Sequence, residues 1–268
     1  MLFYILRQTA KQIFLGLFSD IKVRYRQDNN EEDRQEKDKM MKVQCFTVGN
    51  FGVNTYLITD EATSISAIID TGETNELVEC LLKIAPAPNI QMILLTHAHL
   101  DHAGALSMLQ EEWDVPTYMP RKERPLFETL PIQGSMFGMP HLNRPCGRID
   151  HEVDDGFELM LGQTTLRFLS TPGHTPGQGC WYDEQDIIVG DTLFSGSIGR
   201  TDFPMSDPAL MVESLRRLTK LPGHLRVHSG HGPVTTLQQE LQTNPFLGYI
   251  RKERGITGPP GYAWTSGI

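Results

Sequence analysis

Apolar and polar positions alternate in short, regular blocks from about residue 41 onward. Runs of β-branched and other apolar residues, bounded by Gly, Pro, Asn or Asp, predict strands. The predicted strands span residues 42–48, 55–59, 65–70, 91–95, 115–118, 157–161, 164–169, 179–182, 186–189 and 225–228. Helical periodicity predicts helices at 73–84, 101–113, 121–128 and 208–220. The last of these begins with Asp207 as N-cap and Pro208 in its first position.

The order of these elements predicts the fold class. Strands and helices occur in two successive α/β halves, and the helices of such halves pack on the outer faces of their sheets. We therefore predict an α/β fold of four layers (αββα), with two sheets between two helical layers. Residues 130–147 are rich in Gly and Pro and have no clear period, which predicts a long loop. Such a loop either covers a binding site or is a surface excursion.

The first 40 residues differ in composition from the rest. Residues 1–26 are largely apolar and carry five basic groups against Asp20 alone, and residues 27–39 are a charged run typical of a solvated linker. The segment 1–26 is a basic amphipathic helix at a membrane surface, an extra helix, or a stretch upstream of a true start at Met40 or Met41. No apolar run reaches the roughly 18 residues of a transmembrane helix. We predict an N-terminal extension over 1–40, the main domain over 41–250 and a C-terminal tail over 251–268.

Charge and cysteine content narrow the classes of partner and compartment. The formal net charge of −9 disfavours nucleic acid, whose phosphates require clustered Lys and Arg, and favours a small-molecule substrate. The four cysteines have no metal-binding or redox spacing. We predict that they are reduced thiols in a cytoplasmic protein without disulfides. They are Cys45, Cys80, Cys146 and Cys180.

The run from Thr96 to His102, THAHLDH, carries the strongest chemical signal. It follows a predicted buried strand and leads into a predicted helix. His97 and His99 lie two residues apart on extended chain, so their rings point to the same side. Asp101 and His102 fall in the first turn of the helix, where free N–H groups stabilise a carboxylate. Imidazole and carboxylate groups suit zinc, and also iron or manganese.

Three later segments each place a further candidate ligand after a predicted strand, where α/β proteins gather their sites. They are His174 in STPGHTPG, Asp191 in VGDT and His231 in GHGP. The remaining histidines of the second half lack such a context, and we interpret them as structural. They are His141, His151, His224 and His228.

Taken together, these motifs resemble the metallo-β-lactamase superfamily over about residues 41–246. The resemblance is closest to single-domain hydrolases similar to glyoxalase II. Asp70, in IIDTG, matches the superfamily's first motif, an acid that supports the metal-binding loop.

The resemblance implies two divalent metal ions, with zinc as the expected ion and iron or manganese as alternatives. One ion would be bound by His97, His99 and His174, the other by Asp101, His102 and His231, and Asp191 would bridge them together with a hydroxide. Asp101 and Asp191 would thus take part directly in catalysis. The implied reaction is hydrolysis of a thioester such as S-lactoylglutathione, with the hydroxide as nucleophile.

Arg200 occupies the stretch in which glyoxalase II places a lysine that binds the glycine carboxylate of glutathione. It either binds a substrate carboxylate or pairs with Asp202. Only about 35 residues follow Pro233, too few for the helical domain of two-domain glyoxalase II, which puts glutathione specificity in question.

Two alternatives remain open at this stage. A persulfide dioxygenase of the same fold would use one iron on the equivalents of His97, His174 and Asp191, and has a similar Gly-Arg-Thr-Asp stretch. A non-catalytic scaffold would use the metals for stability alone and dock through the N-terminal segment.

Overall fold

Two six-stranded β-sheets form the centre of the computed structural model, which describes residues 41–257. In the first sheet the strands follow chain order, β1 to β6, with antiparallel pairing at β1–β2–β3 and parallel pairing from β3 to β6. These strands are β1 Met41–Val48, β2 Val53–Asp60, β3 Ile65–Ile69, β4 Asn89–Leu94, β5 Thr117–Pro120 and β6 His151–Val153.

The second sheet has the order β14-β13-β10-β9-β8-β7, and only its β10–β13 pair is parallel. Its strands are β7 Glu158–Leu161, β8 Thr164–Ser170, β9 Gly179–Tyr182, β10 Asp186–Gly190, β13 Arg226–Ser229 and β14 Thr235–Thr236. A small separate hairpin joins β11 Leu193–Phe194 to β12 Ser197–Ile198.

Helices belong to each half of the chain. Those of the first half are α1 Glu76–Leu82, α2 Leu100–Ala103, α3 Leu106–Glu112, α4 Arg124–Phe127 and α5 Leu130–Met136, with 3-10 turns at Arg121–Glu123 and Pro140–Leu142. Those of the second half are α6 Pro208–Leu218, α7 Leu237–Thr243 and α8 Gly248–Glu253, with a 3-10 turn at Pro245–Leu247. Within residues 41–257, no helix has the length and apolar character needed to cross a membrane.

Three hydrophobic clusters separate the four layers. Successive residues of a strand point to opposite faces, so Ile68 packs against the first helical layer while Ile69 packs between the sheets. In the second sheet, Ile188 packs between the sheets and Ile187 against the helices of the second half. Trp181 is fully buried between the sheets. This arrangement confirms the predicted αββα fold.

The helix predicted over 101–113 is interrupted in the structure. Gly104 closes α2, and the N–H of Ala105 donates to Gly72 O (2.8 Å) rather than continuing the helix. A side chain at Gly104 would collide with Leu100 O and crowd Glu73 Cα. The break therefore results from close packing against the Asp70–Glu73 segment.

The prediction of a loop without regular structure over 130–147 is wrong, because α5 occupies its first half. Pro131 stands in the first turn of α5, and Leu130, Gln133 and Gly134 are buried on one face. A side chain at Gly134 would meet the Met139 carbonyl and Asn143. Tertiary packing thus favours a helix that the Gly and Pro content concealed.

Both predicted terminal boundaries remain predictions. The extension 1–40 lies outside the described residues. At the other end, α8 continues past residue 250 to Glu253, and Arg251 is buried with its guanidinium donating to Asn244 O. The structure describes packed residues as far as Glu253.

Candidate metal centre

Loops that follow β4, β8, β10 and β13 converge at one end of the sandwich and bring together all seven predicted ligands. Their imidazole nitrogens and carboxylate oxygens form three overlapping groups, each with its atoms within 4.8 Å of one another. The groups are His97, His99 and His174; His97, His102 and Asp191; and Asp101, His102 and His231.

Asp70 holds the loop that follows β4. Its Oδ1 accepts from the Thr96 N–H (2.8 Å), and its Oδ2 accepts from Thr96 Oγ1 (2.7 Å) and His102 Nδ1 (2.8 Å). The backbone of Asp70 has a φ of 59°, which lies in the left-handed region that residues other than Gly rarely occupy. Because Nδ1 of His102 is committed to Asp70, its Nε2 is directed into the cluster.

His174 is positioned by a tight turn against α6. Gly173, with a φ of 142°, lies so close to the Met211 backbone that a side chain there would collide with it. His174 Nδ1 donates to Arg200 O (2.7 Å). Its Nε2 lies 2.9 Å from His99 Nδ1 and 3.5 Å from Asp191 Oδ2.

The first sheet holds the loop that carries His231. Asn54 Nδ2 donates to Ser229 O (3.0 Å) and Gly232 O (2.9 Å). His231 Nε2 then lies 3.2 Å from Asp101 Oδ2. At Gly230 a side chain would occupy the space beside Asp191 Oδ1 and the His102 ring, so the site requires glycine there.

Burial and neighbouring charges shift the acid–base behaviour of the histidines in opposite directions. Burial lowers the pKa of His97 well below its ordinary value. Burial and the adjacent His174 lower the pKa of His99 to about 3. Both are therefore neutral at pH 7, the form that binds a metal ion.

His102 behaves differently because carboxylates surround it. Burial favours its neutral form, but Asp191, Asp101 and Asp70 outweigh burial and hold the pKa of His102 well above its ordinary value. Burial would raise the pKa of Asp191, but the nearby His102 holds it well below its ordinary range. A metal ion must displace the His102 proton, so metal affinity should increase with pH.

Several donor atoms of the cluster fit a metal ion because no protein group satisfies them. His97 Nε2, His102 Nε2 and Asp191 Oδ1 are buried and have no hydrogen-bond partner among the described residues. A buried polar atom without a partner costs about 1–3 kcal/mol. Imidazole and carboxylate donors at this spacing match the coordination chemistry of zinc and of first-row transition metals.

Sequence reasoning missed Glu123, which joins two of the metal-site loops. Its Oε2 accepts from the Ala98 N–H (2.8 Å), and its Oε1 accepts from the Gly177 N–H (2.6 Å). Burial raises the pKa of Glu123, although these donors and Thr175 oppose the shift. Glu123 lies in a short 3-10 turn, and no local pattern indicates that its side chain reaches residues 25 and 54 positions away.

Glu73 and Gln133 were also missed. Glu73 is buried and accepts from the Asn50 N–H, which fixes the turn between β1 and β2. Gln133 of α5 donates from Nε2 to Ala98 O (3.1 Å). The sequence IDTGE, in which Glu73 follows the Asp70 motif, is the one signal that could have indicated a role for Glu73.

Arg200 pairs with Asp202, one of its two predicted roles. Its Nε donates to Asp202 Oδ1 (2.8 Å) and its Nη2 to Asp202 Oδ2 (2.7 Å). The guanidinium carbon also lies 4.3 Å from the centre of the Phe203 ring. A carboxylate ligand would have to compete with Asp202 for this group.

The family model for the metallo-β-lactamase superfamily matches residues 48–231. The chain belongs to this superfamily, whose members bind divalent metal ions, and it is a metallohydrolase by class. A relative from Bacillus subtilis named probable metallo-hydrolase YqgX is 37% identical over 77% of this chain and 98% of its own length. Hydroxyacylglutathione hydrolase GloC of Haemophilus influenzae is 35% identical, with coverage of 77% and 98%.

Two solved structures resemble the fold of this chain and have about the same sequence identity to it as these relatives. The crystal structure of BLEG-1 B3 metallo-β-lactamase aligns with a TM-score of 0.70 at 34% identity and covers 78% of this chain and 99% of its own. TTHA1623, solved in a di-iron-bound form, aligns with a TM-score of 0.67 at 37% identity, with coverage of 75% and 98%.

Proposed function

We propose that this protein is a di-metal hydrolase of thioesters such as S-lactoylglutathione. The observation that carries the proposal is the convergence of seven ligand side chains, three of which have buried donor atoms without a hydrogen-bond partner in the described part of the chain. The name of the Haemophilus influenzae relative, hydroxyacylglutathione hydrolase, supports the substrate class.

The grouping of side chains supports the assignment of two metal positions. His97, His99 and His174 would hold one ion, and Asp101, His102 and His231 the other, with Asp191 between them. Zinc is the proposed ion, and the di-iron form of TTHA1623 makes iron the main competitor. When bound, the ions supply a water of lowered pKa as nucleophile and stabilise the oxyanion that develops on the substrate carbonyl.

The chain's own residues orient these groups. Asp70 and the Arg200 carbonyl bind the outer nitrogens of His102 and His174 and so direct their Nε2 atoms inward. In hydrolysis, a bond forms between the water oxygen and the carbonyl carbon. The carbon–sulphur bond breaks and the thiolate leaves with the electron pair. A thiolate is a good leaving group, so the reaction requires no dedicated general acid.

A β-lactam is the second candidate substrate, because BLEG-1 is named a B3 metallo-β-lactamase. Opening a lactam expels an amine, which must be protonated as it leaves. The described site has no evident proton donor apart from its proposed metal ligands. This difference in leaving group favours the thioester.

A substrate panel on protein of known metal content tests the proposal. We expect zinc-loaded protein to hydrolyse S-lactoylglutathione, with His231→Ala reducing the rate at least about a hundredfold. His224→Ala is the matched control, because His224 is remote from the cluster and bonds only to Glu184 O among the described residues. Oxygen uptake on glutathione persulfide with one iron per chain, or faster turnover of a cephalosporin, would overturn the thioester assignment.

We also propose a reducing compartment, the cytoplasm. All four cysteines are free thiols, and burial raises the pKa of Cys45 and of Cys180 to about 11. Such thiols are protonated and unreactive at pH 7.

A further inference from the structure

Three phenylalanine rings form a continuous surface that leads outward from the proposed metal site. The Phe203 ring lies 5.7 Å from His99 and 6.0 Å from His174, centre to centre. Phe137 lies 6.4 Å from Phe203, and Phe51 lies 5.7 Å from Phe137. We call Phe51, Phe137 and Phe203 the aromatic wall.

Each ring of the wall comes from a different segment that is anchored to the site. Phe51 lies in the β1–β2 turn, which Glu73 binds through the Asn50 N–H. Phe137 follows α5, whose Gln133 donates to Ala98 O between His97 and His99. Phe203 follows Arg200, whose carbonyl binds His174. The position of the wall is therefore coupled to the position of the ligands.

Phe137 is the exposed ring of the wall, whereas Phe51 and Phe203 are partly buried. Phe137 is 44% exposed, and next to it on α5 Met136 is 64% and Ile132 57% exposed. Ile132 and Met136 are four residues apart and so lie on one side of the helix. The opposite side of α5 is buried, which shows that the helix is firmly packed. A row of partly exposed aromatic rings that begins at a candidate metal site is typical of a ligand-binding surface.

The charged group beside the wall, the Arg200 guanidinium, is already bound by other side chains and is poorly available to a polar substrate. The guanidinium of Arg200 stacks on Phe203 and is held by both oxygens of Asp202. Met136 precedes Phe137 and Met205 follows Phe203 by two residues, and both are exposed, flexible and polarizable side chains that can adapt to chains of different shape.

We propose that the aromatic wall binds an apolar chain of several carbons attached to the scissile thioester, so that such substrates are preferred over the short, hydroxylated lactoyl group. This inference rests on the proposed thioester hydrolysis and specifies its substrate class. Continuity of the wall with His99 and His174 places the chain directly beside the reacting carbonyl.

The kinetic test uses the full chain, loaded with zinc, and two matched substrate series. One series carries acetyl, butanoyl or hexanoyl groups on glutathione, and the other joins an acetyl group to ethanethiol, butanethiol or hexanethiol. Complete burial gains about fourfold per methylene. Because the wall is partly open, we expect kcat/KM to rise about twofold per methylene in one series. The series that rises identifies whether the acyl or the thiol side contacts the wall.

Substitution of Phe137 tests whether the dependence of kcat/KM on chain length arises at the aromatic wall. Phe137→Ala should at least halve the slope of log kcat/KM against chain length, with zinc content unchanged, and Phe137→Leu should restore most of it. Met160→Ala is the control, since Met160 is also an exposed apolar side chain (54%) but lies on β7. Equal slopes in Phe137→Ala and wild type would overturn the proposal.

A binding measurement separates this inference from the proposed function. S-methylglutathione and S-hexylglutathione are thioethers that cannot be hydrolysed, and calorimetry should give at least about tenfold tighter binding of the hexyl compound. If no thioester is hydrolysed but the hexyl compound still binds more tightly, the proposed function is wrong. The inference that the aromatic wall binds an apolar chain is then still supported. If thioesters are hydrolysed while neither chain length nor the hexyl group matters, the wall proposal fails, and a protein segment becomes the better candidate to cover it.

Discussion

Two buried carboxylates of the second sheet, Asp191 and Asp186, stand in contrasting environments. Both oxygens of Asp186 are paired: Oδ1 with Arg226 Nε and His228 Nε2, both at 2.7 Å, and Oδ2 with Arg226 Nη2 at 2.6 Å. Asp191 follows the other end of β10, and its buried Oδ1 has no hydrogen-bond partner within residues 41–257. His102 Nε2 lies 3.4 Å from that oxygen.

The contrast indicates which residues serve stability and which serve chemistry. A buried carboxylate needs compensating charge and hydrogen bonds, and Asp186 obtains both from the chain itself. Asp191 and its histidine neighbours obtain only part of this compensation from the protein. The missing part is the interaction that a bound cation supplies.

The largest expected effect separates the two aspartates by activity. Asp191→Asn should reduce zinc binding and lower thioester hydrolysis at least about a hundredfold, because it removes a charged ligand that groups with His97 and His102, one from each proposed metal position. Asp186→Asn should keep its zinc content and stay within about twofold of wild type at a temperature where it is folded. Comparable losses in both variants would contradict the distinction.

The next effect separates the same residues by stability. Asp186→Asn should lower the free energy of unfolding by about 2–3 kcal/mol at pH 7, less than for a fully buried pair because Arg226 is 43% exposed. Urea unfolding of metal-free protein measures this loss. In that assay we expect Asp191→Asn to lower the free energy of unfolding less than Asp186→Asn does.

The pH dependence of that loss follows from the pKa of Asp186. Burial would raise this pKa, but His228 and Arg226 outweigh burial and hold it below its ordinary value. The ion pair therefore stabilises the fold fully above about pH 4, and this contribution disappears as pH falls through the lowered pKa. The stability difference between wild type and Asp186→Asn should be constant from pH 7 to 5 and shrink below pH 4. A difference that persists at pH 2 would contradict this account.

A smaller effect is expected at Asp70, which acts through His102. Asp70→Asn should weaken zinc binding about tenfold to a hundredfold, because the hydrogen bond that orients the His102 ring is lost. Competition with a fluorescent chelator measures this affinity. Asp155→Asn is a suitable control, since Asp155 pairs at the surface with Arg217. An unchanged zinc affinity in Asp70→Asn would exclude the supporting role.

The smallest effect is expected for Glu123→Gln. One carboxylate oxygen would become an amide that faces a backbone N–H donor, so we expect a loss of about 1–2 kcal/mol in unfolding free energy. Glu111→Gln, on the exposed face of α3, should change it by less than about 0.5 kcal/mol. Equal stability of both variants would show that Glu123 does not hold the two loops together.

The seven ligand candidates could be found from sequence because each follows a strand and combines a metal-binding side chain with a turn motif. The four-layer fold could also be predicted, since residue periodicity records which faces are buried. Asp70 was recognised through its motif rather than through its contacts.

The remaining features depend on contacts between distant residues. Glu123 reaches Ala98 and Gly177, and α5 forms because Gln133 and Gly134 pack against neighbours that no local pattern specifies. The aromatic wall likewise assembles from three separate segments. Periodicity describes each element by itself, so it does not reveal which side chains meet.

The central claim is that the converging side chains hold two metal ions. Its most direct test is elemental analysis of metal-depleted protein after titration with zinc and gel filtration, with Asp191→Asn analysed in parallel. We predict two zinc ions per wild-type chain and fewer in the variant, with hydrolysis restored in proportion to the zinc bound. Full activity in protein that retains no metal, or the same zinc content in wild type and Asp191→Asn, would contradict the claim.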